Sequence, residues 1–135
     1  MRDEDREQID ALVAAAKDAR DHAYAPYSNF KVGAAVLAGG RVFAGVNVEN
    51  ASYPMGVCAE RNAVAAAVAA GERTIDAVAV VADEERPTPP CGGCRQVLWE
   101  FGPSSLVVAE TRDGTRVMWA LEDLLPDAFG PGHLR

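Results

Sequence analysis

Long apolar runs are missing from this 135-residue chain. No stretch approaches the roughly 20 apolar residues that a membrane-spanning helix needs. The opening residues, MRDEDREQID, hold no apolar core, so no signal peptide is expected and a cytoplasmic location is the default. Basic excess is missing too. Lys and Arg total 13 against 20 Asp and Glu, a formal charge of −7. A protein that grips a phosphate backbone carries a basic stripe, so this balance argues against a nucleic-acid partner and for a small uncharged ligand. Cysteine is scarce, with three residues, and histidine more so, with two. An odd count in a cytosolic chain suits metal ligation or catalysis better than a disulfide framework. No repeat, linker or low-complexity segment is evident.

What remains is an ordinary globular composition, 49% hydrophobic and 24% charged, and a length that suits a single domain over residues 1–135. Ile9, Leu12, Val13, Ala16 and Ala19 recur at helical spacing and predict a helix from Asp5 to Ala23, broken at Pro26. Two β-like runs, FKVGAAVLA and RVFAGVNV, flank Gly39 and Gly40 and read as a hairpin. After the loop NASYPMG, an alanine-rich helix runs from Ala59 to Ala70 and stops at Gly71. AVAVVA, from Ala77 to Ala82, reads as a buried strand. A helix from Cys91 to Phe101 ends at Gly-Pro. SLVVAE and TRVMWA are two more strands around Asp113 and Gly114, and LEDLLPDAFG is a short helix and tail. The order implies an α/β fold of three layers, with helices on both faces of a five-stranded mixed sheet.

The chemistry concentrates in GVCAERNAV and PTPPCGGCRQVLWEF. Cys91 and Cys94 stand three apart, and on one side of a helix start they can grip one metal. Cys58 also stands at a helix start, where free N–H groups and the positive dipole end favour a thiolate. Three soft ligands suit one Zn²⁺ and leave the fourth tetrahedral position open to water, whose pKa the ion lowers. Glu60, in the next helical turn, is placed to move protons. Zinc with three thiolates carries net negative charge, and Arg61 is the cation expected to draw charge off the sulfurs. A structural zinc ribbon needs a fourth protein ligand, and neither His22 nor His133 lies near a cysteine in sequence. Asn47 and Glu49 alternate with Val46 and Val48 at a strand end, so both polar side chains point to one face. Read alone, they fit a solvated strand end, and Phe30, Tyr53 and Phe129 fit the core.

CAERNAV, followed 33 positions after Cys58 by the first cysteine of PPCGGCRQV, resembles the zinc-dependent cytidine deaminases. YAPYSNFKVGAAV, GVNVENASYPMG and LEDLLPDAFGP are similar to that family's segments in the same order, so the resemblance spans Ala11 to Leu134. It implies that Cys58, Cys91 and Cys94 ligate one zinc and that Glu60 is the proton shuttle. It implies substrate contacts from Phe30, Asn47, Val48, Glu49 and Ala59, with Tyr53 and Phe129 contributed by neighbouring subunits. Arg61 and Gln96 match residues that hydrogen-bond the cysteine sulfurs. The expected assembly is a homotetramer with shared sites, acting on a nucleoside, with no nucleic acid and no membrane partner. The expected reaction is deamination of cytidine and deoxycytidine in pyrimidine salvage. A deaminase of a cytosine-bearing antibiotic, a polynucleotide deaminase and a zinc-stabilised module without activity are the competing readings.

Overall fold

The computed structural model describes residues 1–134. Helix α1 (Asp3–Arg20) opens on Asp3, Glu4 and Asp5 and carries Lys17 and Arg20 in its last turn, both favourable to the helix dipole. Ile9, Leu12, Val13 and Ala16 form its buried stripe. The helix ends short of Ala23 for a long-range reason. Tyr24 donates its N–H to the Asn47 carbonyl at 3.0 Å and accepts from the Glu49 N–H at 2.8 Å, which draws the backbone out of the helix.

The sheet has five strands: β1 (Val32–Ala38), β2 (Arg41–Val46), β3 (Ala77–Ala82), β4 (Leu106–Glu110) and β5 (Arg116–Ala120). Their order is β2-β1-β3-β4-β5, with β3 and β4 parallel and every other pair antiparallel. The β1–β2 turn has positive φ at both Gly39 and Gly40, 59° and 74°, as a tight two-residue hairpin requires. A parallel pair needs a crossover, and helix α3 (Gly92–Phe101) supplies it between β3 and β4. Helix α2 (Ala59–Ala69) follows the hairpin and ends before Gly71, which takes φ 98°. Helix α4 (Leu121–Leu124) is only four residues long.

Strand residues alternate between two cores. Ala35, Ala79, Val81 and Val108 meet α1 on one face. Ala34, Val36, Val78, Val80 and Val107 meet Ala63 and Val64 of α2, Leu98 of α3 and Leu121 of α4 on the other. This is the expected three-layer, five-stranded arrangement, and β3 is buried along its whole length.

The two long-sequence neighbours of the hairpin sit very close to it. A Cβ on Gly45 would lie 2.4 Å from the Ala63 nitrogen and 2.6 Å from the Ala59 carbonyl of α2. A Cβ on Gly33 would lie 1.9 Å from the Ala16 carbonyl of α1. Backbone cannot yield as a side-chain tip does. Gly45→Ala is expected to destabilise the fold by about 1–3 kcal/mol through overpacking. A lowered denaturant midpoint checks this, and metal content read alongside reports the displacement of the Cys58 end of α2.

Candidate active site

Both cysteine-bearing segments end at the start of a helix. Cys58 is the N-cap of α2 and Cys91 the N-cap of α3, each with extended backbone. Cys94 lies in the first turn of α3 and is fully buried. The free N–H groups of two helix starts thus converge on one place.

Cys58 Sγ lies 3.9 Å from Cys91 Sγ, and Cys91 Sγ lies 3.4 Å from Cys94 Sγ. All three sulfurs fall within 4.8 Å of one another. Sulfurs held about 2.3 Å from one tetrahedral zinc stand about 3.8 Å apart, so the cluster fits the ion. Burial is the main push on the Cys94 thiol, upward, reinforced by the Glu60 charge. At Cys91 burial also pushes up, but the Cys94 N–H and the neighbouring thiols outweigh it and hold Cys91 below its ordinary value. Zinc binding here therefore releases protons.

Glu60 is 5% exposed, and burial raises its pKa above the ordinary carboxylate value. Arg61 Nη2 donates to Cys58 Sγ at 3.4 Å, and that bond is the main reason its pKa is raised. The Arg61 Nε is buried and has no hydrogen-bond partner among the described residues. A fixed cation beside three sulfurs suits an anionic cluster.

The polar pair at the end of β2 is not merely solvated. Asn47 Oδ1 accepts from the Val32 N–H at 2.8 Å, and its Nδ2 donates to the Phe30 carbonyl at 2.8 Å. Glu49 Oε1 accepts the N–H groups of Tyr27 and Ser28 at 3.0 and 3.1 Å, and Oε2 accepts the Ser28 hydroxyl. The Ser28 hydroxyl is the main reason Glu49 is held below the usual carboxylate range. Together the pair shapes the loop that carries Phe30, and Asn47 keeps one amide hydrogen uncommitted.

Phe30, Tyr53 and Phe129 lie outside the core. Phe30 is 38% exposed, Tyr53 74% and Phe129 56%. Tyr27, Ser28, Glu49, Asn50, Tyr53 and Gly56 line a cleft of about 330 Å³. Tyr27 and Ser28 were not singled out from sequence. The signal was the turn chemistry of YAPYSNF, where Asn29 takes φ 59°. Val48 is exposed and exchanges two backbone hydrogen bonds with Val57. Ala59 is fully buried at the start of α2, so its side chain presents no surface to a ligand. Gln96 departs from expectation. Its Nε2 donates to the Phe129 carbonyl at 2.8 Å instead of to a sulfur, because the C-terminal segment folds back against α3.

The family model for the cytidine and deoxycytidylate deaminase zinc-binding region matches residues 6–110. The chain belongs to the cytidine and deoxycytidylate deaminase family. The cytidine deaminase of Sporosarcina psychrophila is 48% identical over 128 residues, covering 93% of this chain and 94% of its own. That of Mycobacterium tuberculosis is 48% identical over 109 residues, 80% of this chain and 79% of its own. The crystal structure of the cytidine deaminase from Burkholderia pseudomallei superposes with a TM-score of 0.85 at 53% identity, covering 89% of this chain and 98% of that one. The one from Mycobacterium leprae gives 0.75 at 42% identity over 87% and 97%.

This deaminase is thus a zinc-dependent hydrolase, and its three-cysteine cluster accounts for one zinc. Arg61→Met keeps the bulk of the side chain but removes its N–H donors. Zinc retention is expected to weaken about 10–100-fold, as for other groups that hydrogen-bond a metal ligand. Competition against a chromogenic chelator measures it, and an unchanged exchange curve would remove Arg61 from the account.

Proposed function

We propose that the chain hydrolyses cytidine and 2′-deoxycytidine to uridine and 2′-deoxyuridine with release of ammonia, as part of cytoplasmic pyrimidine salvage. The observation that carries the reading is a buried carboxyl, Glu60, beside three clustered cysteines at paired helix starts. Zinc held by Cys58, Cys91 and Cys94 supplies a Lewis acid that makes water a nucleophile near neutral pH.

The chain's own residues do the rest. Glu60 takes a proton from the attacking water as its oxygen adds to C4 of the base. It returns that proton to ring N3, then takes the second proton from the hydroxyl now on C4 and passes it to the amine, so that C4=O forms as the C4–N bond breaks and ammonia leaves. Its raised pKa supports this exchange, because burial makes the carboxylate a stronger base and moves it toward the operating pH, where one group can both take and give a proton. Arg61 holds Cys58 and steadies the anionic cluster. Glu49 and the free amide hydrogen of Asn47 receive the ribose hydroxyls, while Phe30, Val48 and the Ala59 N–H border the base. An ionised Glu49 repels a phosphate and so favours the neutral nucleoside.

The active form in this reading is a homotetramer of single-domain chains. Tyr53 and Phe129 reach a neighbour's site, which their exposure supports together with that of Tyr24 and Met55. An ultraviolet absorbance assay with cytidine, deoxycytidine, cytidine monophosphate and a cytosine-bearing antibiotic tests the assignment, and light scattering tests the assembly. Turnover of both nucleosides is expected, with the monophosphate at least about tenfold poorer. A chain with one zinc and no nucleoside turnover would overturn the reading.

A further inference from the structure

We propose that Gln96 and Arg95 are positioning residues that lash the C-terminal segment to the metal-ligand helix and so hold Phe129 in place for substrate. The inference rests on the reading that Phe129 borders a nucleoside site.

Helix α3 has two working faces. Cys94 and Leu98, one turn apart, are fully buried, Cys94 in the sulfur cluster and Leu98 in the core against the sheet. Arg95, Gln96 and Trp99 occupy another face; Arg95 meets the end of α4, and Gln96 and Trp99 meet the chain beyond it. Arg95 Nη1 donates to the Leu124 carbonyl at 2.8 Å, while its Nε donates to the Pro90 carbonyl at 2.8 Å. One guanidinium therefore ties the residue before Cys91 to the end of α4. Gln96 adds its bond to the Phe129 carbonyl. Gly130 lies so close to Trp99 that a Cβ there would stand 3.0 Å from the indole nitrogen. Asp127, at φ 52°, turns the chain between these anchors. Phe129 itself stacks on His133, with ring centroids 5.0 Å apart. The segment around Phe129 is thus held against α3, while the ring, stacked on His133 on one side, stays half-exposed.

The test compares Gln96→Glu, which removes the donor at equal length, with Gln96→Lys, which keeps one. Each holoenzyme is measured for KM and kcat on cytidine, zinc retention, and hydrogen exchange across residues 125–134. Gln96→Glu is expected to raise KM about fivefold to tenfold with kcat within about twofold, the pattern of lost binding rather than lost chemistry. Exchange in the segment rises about fivefold or more, as loss of one hydrogen bond to a neighbouring element allows. Zinc retention stays as in the parent chain, and Gln96→Lys restores both readouts. Unchanged exchange overturns the tether. So does weakened zinc retention with KM unmoved, the result expected if Gln96 served a sulfur. If the parent chain turns over no nucleoside, the proposed reaction fails, and the exchange comparison still decides the tether.

Discussion

Glu60→Gln is expected to lower turnover of cytidine by roughly 10³–10⁴-fold, the upper range for loss of a general acid–base group, because one carboxyl serves several proton transfers. The amide has the same shape but neither accepts nor returns the proton at N3 or the amine. Zinc content and fold should be unchanged, since Glu60 is not one of the three clustered ligands. The stability sign follows from burial. The folded pKa lies above the unfolded value, so the metal-free parent is favoured at pH below the ordinary carboxylate value and loses stability as pH rises through the folded pKa. The variant lacks that loss, and its metal-free form should melt at or above the parent at neutral pH. Steady-state rates, a zinc count and a melting curve check the three parts. Retained turnover with zinc in place would remove Glu60 from the role of proton shuttle.

Cys94→Ala is expected to abolish zinc retention, weakening it by more than about 100-fold. That exceeds the 10–100-fold cost of losing a hydrogen-bond partner behind a ligand, because here the ligand itself goes. Two sulfurs at helix N-caps remain, and two ligands do not hold zinc against a chelator. Activity should vanish with the metal and return neither with added zinc nor with higher pH. In the parent chain, burial and Glu60 favour the protonated Cys94 thiol, so metal must displace that proton. Zinc retention should therefore weaken as pH falls. Chelator competition across pH measures both effects, and a flat pH profile would contradict them.

The parts of this fold that sequence made legible are those set by neighbours in the chain. AVAVVA is a strand over the residues expected, Ala77–Ala82, because a six-residue apolar run flanked by turns has little other use. Gly39 and Gly40 take the left-handed backbone that the hairpin needed. Cys58 and Cys91 stand at helix starts as their flanks implied. What sequence hid depends on distant partners. RVFAGVNV promised a strand through Val48, but β2 ends at Val46. Asn47 turns its amide onto Phe30 and Val32, and Val48 pairs with Val57 instead. Phe30, Tyr53 and Phe129 looked like core by residue type, and their exposure follows from loops whose course no local pattern fixes. The direction of the Gln96 side chain depends on where the last residues fold, which is a tertiary matter.

The bare hairpin backbone at Gly33 and Gly45 has a consequence for how the gene can vary in length. The two dents face opposite sides of the sheet, one receiving α1 and the other α2. Strand side chains alternate with a period of two, so adding or deleting one residue between either glycine and the Gly39–Gly40 turn would swap a dent for a bulge. Single-residue insertions inside these strands should therefore cost the sheet its close packing against one helix or the other. A stretch without functional side chains thus fixes the length of the hairpin arms through backbone contact alone.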